Sequence, residues 1–140
     1  MTAYIDSSVL LRIVLRQPGS LKEWKAIRRG VASALVETEC LRTLDRLRLR
    51  FGLPDRQIAI RREAIFRLLE AMELVELTRP ILARASQLPP VELGTMDAIH
   101  LATAMLWREM TQTDVVMATH DEALGLAARA CGIRVVGVRE

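Results

Sequence analysis

Three aspartates in this chain stand at helix starts, two of them just after an apolar run, the position at which a carboxylate can do chemistry. Asp6 follows Ala3-Tyr4-Ile5 and precedes Ser7-Ser8 and the apolar run from Val9 to Val14. Asp121 follows Val115-Val116-Met117-Ala118 and Thr119-His120, and Asp97 lies in Thr95-Met96-Asp97-Ala98-Ile99-His100-Leu101-Ala102-Thr103-Ala104. Singly, each can be a helix cap or a first-turn acid that complements the helix dipole, worth a few tenths to about 1 kcal/mol. Brought to one edge they repel, which raises their pKa values unless a cation sits between them. An all-oxygen cluster selects Mg²⁺ or Mn²⁺ over zinc, which prefers His and Cys. One or two such ions can activate water and steady the departing oxygen in phosphodiester hydrolysis.

A fourth acid belongs to a helix spanning about Leu35 to Arg50. Val36, Cys40, Leu44, Leu47 and Phe51 form one apolar stripe on it, and Glu39, Arg42, Thr43, Arg46 and Arg50 form a second stripe alongside. That second stripe can be a salt-bridge ladder, or a metal-binding acid beside arginines that hold a phosphate chain. Periodicity does not choose Glu39 over Glu37, which lies at least as near the apolar stripe. Only Lys22 and Lys25 are lysines, so eighteen of the twenty basic residues are Arg, many between Arg42 and Arg67. Their guanidinium forks can grip a nucleic-acid backbone, or simply form a solvated, ion-paired helix face. His100 shares a helix face with Asp97, three residues away. It is a packing residue with a hydrogen bond, or else a ligand or general base. Ser7 and Thr119 can orient Asp6 or a water, or serve as caps.

The elements that must carry these residues alternate along the chain. A strand ends at Ile5, and a helix runs from Val9 to Arg16 before Pro18-Gly19. A second short helix is expected from Leu21 to Arg29, then a strand at Val31 to Ser33 with Ser33 capping the long helix. Arg56 to Met72 reads as an amphipathic helix with Ile58, Ile65, Leu68, Leu69 and Met72 apolar, and Leu74 to Leu77 as a strand. A helix from Thr78 or Arg79 to about Gln87 carries an early Pro80 and ends at Pro89-Pro90. Thr95 to Met110 is a strong helix. Thr119 and Glu122 form a capping box for a last helix to about Cys131, closed by Gly132, before a strand from Ile133 to Val138. Alternating strands and helices predict an α/β fold with a parallel sheet of four to five strands covered on both faces.

With 140 residues, a single domain over 1–140 is expected, large enough to fold without disulfide or structural metal. Cys40 and Cys131 have no zinc or disulfide spacing, which fits a reducing cytoplasm. Neither a secretory leader nor an apolar run of membrane-spanning length is visible, so no membrane association is expected. Aromatic residues make up only 4% of the chain, which disfavours base stacking as the binding mode. The net charge of +3 hints at a polyanionic partner. There is no Gly-rich phosphate loop and no Gly-x-Ser-x-Gly elbow.

Tyr4-Ile5-Asp6-Ser7-Ser8, Ser33-Ala34-Leu35-Val36-Glu37-Thr38-Glu39-Cys40-Leu41-Arg42, Asp97-Ala98-Ile99-His100-Leu101-Ala102 and Thr119-His120-Asp121, in that order and over essentially the whole chain, resemble the PIN-domain nucleases, and most closely the VapC-type toxins of bacterial toxin-antitoxin pairs. The resemblance implies a Rossmann-like PIN domain and an Mg²⁺- or Mn²⁺-dependent endoribonuclease, dimeric and silenced by a small antitoxin. It implies that Asp6, Glu39, Asp97 and Asp121 are the catalytic, metal-binding acids, with Asp121 the supporting one. Two rivals belong to other classes. A phosphatase of the haloacid-dehalogenase kind needs a second Asp where Ser8 stands. A non-catalytic RNA- or protein-binding PIN-like module would bind without metal-dependent turnover.

Overall fold

Thr2–Ile5 forms the first strand, β1, and its alternation decides which side chain meets which layer. Ala3 and Ile5 enter one buried cluster and Tyr4 enters the other, as the two-residue period of a strand demands. The structure, a computed structural model, describes residues 1–87 and 91–139. The elements after β1 are α1 (Ser7–Val14), β2 (Arg29–Ser33), α2 (Leu35–Phe51), α3 (Asp55–Glu70) and β3 (Met72–Val75). They are followed by α4 (Arg79–Ala85), α5 (Thr95–Thr111), β4 (Val116–Ala118), α6 (Glu122–Ala130) and β5 (Arg134–Val136).

Among the described residues the five strands make one sheet in the order β3-β2-β1-β4-β5, with every pairing parallel. Tyr4 aligns with Val31 on one side and Met117 on the other. Ile5, Val9, Leu10, Val36, Cys40, Leu44, Ile58 and Ile65 join α1, α2 and α3 over one face. Tyr4, Val31, Leu101, Trp107, Met117, Leu124 and Ile133 join α5 and α6 over the other. The chain winds outward from β1 through β2 to β3, then returns to place β4 against the other side of β1. That reversal opens a crevice at the carboxyl ends of β1 and β4, where sheets of this kind hold ligands.

Several expected boundaries move. The helix expected from Leu21 to Arg29 is only a 3₁₀ turn at Trp24–Ala26. Arg29 and Gly30 belong to β2, drawn into the ladder opposite Thr2 and Ala3. Met72, expected to end α3, instead opens β3 opposite Gly30. The apolar stripe on α2 holds for Val36, Cys40 and Leu44, all buried, but Phe51 is 66% exposed because the helix has run past the sheet by then. The capping box of Thr119 with Glu122 does not form, since Asp121 caps α6. The Pro89-Pro90 stop after α4 lies outside the described residues.

Candidate active site

Asp6 occupies the N-cap position of α1 in an extended conformation, yet its side chain makes no capping bond. The residue is only 3% exposed, so its carboxylate needs donors from elsewhere. Ser8 Oγ and Thr119 Oγ1 supply them, donating to Oδ2 at 2.7 and 2.8 Å. Ser7 Oγ reaches Oδ1 at only 3.4 Å, so Ser8 rather than Ser7 is the serine that holds this acid. Two good bonds on Oδ2 leave the lone pairs of Oδ1 nearly uncommitted.

Thr119 also ties Asp6 to Asp121. Its hydroxyl hydrogen goes to Asp6, while its oxygen accepts the Asp121 N–H at 3.0 Å. Asp121 Oδ1 in turn accepts the Leu124 N–H at 2.9 Å, so here the cap and the candidate ligand are the same carboxylate. Ser8 Oγ accepts the His120 N–H at 2.9 Å. The His120 ring donates from Nδ1 to the Gly137 carbonyl at 2.8 Å, closing the strand-end loops around Asp6.

Gly137 makes that closure possible. Its φ is +100°, and a Cβ there would lie 2.3 Å from the Thr119 carbonyl oxygen.

Asp97 sits half-buried in the first turn of α5, three residues after the N-cap Gly94. Its carboxyl is pushed up to about 6, first by burial and then by the charges of Asp121, Asp6 and Glu39, with His100 offsetting part of the rise. Glu39 Oε1 bonds His100 Nε2. His100 Nδ1 lies 2.6 Å from the Tyr4 hydroxyl, and that oxygen accepts the Ser33 N–H at 3.2 Å. Burial pulls the His100 pKa down, but the Glu39 bond and the charges of Glu39, Asp6 and Asp97 outweigh it and raise it. Burial lifts the Tyr4 phenol well above its ordinary value; the Ser33 N–H opposes that rise, and the Asp6 and Glu39 charges add to it. Burial, with Glu39 and Asp6, pushes the Cys40 thiol up to about 12, which makes it a packing group and not a nucleophile.

The four predicted acids therefore come together. Asp6, Glu39, Asp97 and Asp121 line one cleft of about 470 Å³ with Ser7, Ser8, Arg42 and Arg46. Glu39, and not Glu37, is the α2 acid in that lining, and Arg50 of the expected ridge falls outside it. Among the described residues no three His, Cys, Asp or Glu side chains are gathered tightly enough to hold one ion as they stand. The donor set nonetheless fits a hard divalent cation in kind. Its ligand atoms are carboxylate and hydroxyl oxygens, and the neighbouring acid charges that add to the burial-driven rise of Asp97 are charge a cation would neutralise. Sequence reasoning missed Tyr4 as a polar partner. The available signal was a phenol on a fully buried strand face, where its hydroxyl must find a bond.

A PIN-domain family model matches residues 3–129. The chain belongs to the PIN-domain family. It is 33% identical over 137 residues to Ribonuclease VapC46 of Mycobacterium tuberculosis, covering 95% of each chain. To Ribonuclease VapC47 of the same species it is 29% identical over 137 residues, covering 92% of this chain and 91% of that one. A toxin-antitoxin complex from Klebsiella pneumoniae contains a chain with the same fold at a TM-score of 0.67 and 18% identity, covering 99% of this chain and 96% of that one.

Proposed function

We propose that this chain, acting as a single PIN domain over residues 1–140, is a metal-dependent endoribonuclease and the toxin of a toxin-antitoxin pair. The observation that carries the reading is the meeting of Asp6, Glu39, Asp97 and Asp121 in one cleft at the crevice between β1 and β4, with Asp97 raised to about 6 by burial first and by the neighbouring acids second. Oδ1 of Asp6, the Asp97 carboxylate and Glu39 would hold Mg²⁺ or Mn²⁺, with Asp121 in support. An ion held there would supply a nucleophilic water and neutralise charge on the phosphate under attack. Ser8 and Thr119 hold Asp6 in place. Arg42 and Arg46, on the α2 wall of the cleft, would grip the phosphate backbone of the substrate.

The names of the Mycobacterium relatives support RNA as the substrate, and the Klebsiella complex supports an antitoxin partner. A homodimer and a cytoplasmic location are part of the same reading. Among the described residues no helix is long and apolar enough to cross a membrane. Leu49 (85% exposed) and Phe51 of α2, with Phe66 of α3, offer apolar area to an antitoxin helix. Ile65 does not contribute to that surface, because it is core.

RNA cleavage with Mg²⁺ or Mn²⁺ added, or with chelator, tests the proposal. Wild type is expected to cleave only with metal, and Asp6→Asn and Asp97→Asn to lose at least ~100-fold with unchanged folding. Cleavage at wild-type rates by both variants would overturn it. RNA binding without metal-dependent cleavage would favour the non-catalytic PIN-like module instead.

A further inference from the structure

We propose that Tyr4 and His100 are a positioning pair for Glu39: together they fix the tautomer of the imidazole so that its Nε2–H holds one carboxylate oxygen of Glu39 and leaves the other facing the cleft. The inference rests on the reading of Glu39 as a metal ligand and adds two residues to it. Tyr4 and His100 are both fully buried, one on β1 and the other on α5, and their rings meet edge to face at 5.9 Å. The Ser33 N–H occupies a lone pair of the Tyr4 oxygen, so the phenolic hydrogen is free to point at His100 Nδ1, 2.6 Å away. In the neutral ring Nδ1 is then an acceptor and the ring proton sits on Nε2, which donates it to Glu39 Oε1.

Asp6 Oδ1 lies 4.0 Å from Nε2, too far to compete for that proton. Three elements, β1, α5 and α2, thus converge on one carboxylate. Glu39 needs such a tether because Arg42, three residues on along α2, and Arg46 line the same cleft and would otherwise draw the carboxylate toward themselves. Donors that orient a ligating group in this way typically change metal affinity by about 10- to 100-fold when removed.

The test is an equilibrium titration of the full chain with Mn²⁺ in the absence of RNA, following free Mn²⁺ by electron paramagnetic resonance. His100→Leu is expected to bind Mn²⁺ about 10- to 100-fold more weakly. His100→Gln, whose amide can donate from near the Nε2 position, should recover most of that affinity. In parallel, nitrogen-15 NMR of the metal-free protein, at a pH high enough to leave the imidazole neutral, should show His100 protonated on Nε2 and bare on Nδ1, and Tyr4→Phe should lose that single tautomer. Wild-type Mn²⁺ affinity in His100→Leu, or a wild-type ring protonated on Nδ1 alone, would overturn the proposal. If wild type takes up no Mn²⁺, the metal reading of Glu39 falls and the positioning role with it. The tautomer, read without metal, separates that failure from an error in the Tyr4–His100 pairing. Should His100→Leu not fold, the tautomer and the Mn²⁺ affinity of Tyr4→Phe decide.

Discussion

A carboxylate at a helix start can cap the helix or leave its oxygens to the cleft, and Asp6 and Asp121 differ in which they do. Asp6 stands at a cap position without capping, whereas Asp121 caps Leu124. Asp121→Asn should therefore keep its stability, because Asn caps as well, while Asp121→Ala should lose about 1 kcal/mol in denaturant unfolding. Asp97 makes a pH-dependent prediction. Its folded pKa of about 6 lies above the ordinary value of 3.8, so below about pH 4 both states are protonated and no penalty exists. As pH rises from 4 to 6 the unfolded chain releases its proton first, stability falls, and above 6 the full penalty is present. Asp97→Asn should accordingly stabilise the metal-free protein at pH 7 by about 1–2 kcal/mol, after discount for partial exposure, and by almost nothing at pH 4. Unfolding curves at the two pH values check this, and an equal gain at both would contradict it. At this scale the sequence was most legible. The three aspartates were visible from their neighbours, but helical spacing left Glu37 and Glu39 equivalent, and only the family resemblance chose Glu39, the one that lines the cleft. Glu39→Gln should lower cleavage strongly while Glu37→Gln leaves it within about twofold, since only Glu39 lines the cleft and meets His100.

Strand ends, more than helices, assemble the site, and the loop after β5 shows why. Gly137 passes against the Thr119 carbonyl, and Thr119 donates to Asp6. Gly137→Ala, though far from the chemistry in sequence, should cost about 2–4 kcal/mol, because both the positive φ and the 2.3 Å approach must be relieved. Thermal melting measures that loss, and a surviving fold should show weakened cleavage as well. Helices with a clear apolar period, α2, α3 and α5, could be read from the chain almost to their ends. The failures fall where pairing overrides local preference. Arg29-Gly30 and Met72 join strands because partners stand opposite them, information no local window holds. Thr119 and Glu122 have capping-box spacing, yet the threonine is already committed to Asp6 and Asp121.

At the scale of the molecule, what matters is the strand order. Alternation along the chain predicted a parallel sheet, but it could not say that β4 would return beside β1. That return brings Asp6 and Asp121, 115 residues apart in number (121 − 6), to one crevice. The resulting cleft concentrates four carboxylates against Arg42 and Arg46, so a divalent cation should stabilise the whole fold. Mg²⁺ is expected to raise the melting temperature at pH 7 more than at pH 5, where Asp97 is largely protonated and competes with the ion. Diffraction from crystals of the protein soaked in Mn²⁺, with the anomalous signal of the metal, tests the central claim most directly. A peak in the cleft coordinated by Asp6 and Asp97, with Glu39 or Asp121 direct or bridged through water, is the predicted result. An Mn²⁺ site elsewhere, with the four-acid cleft empty at the same concentration, would contradict it.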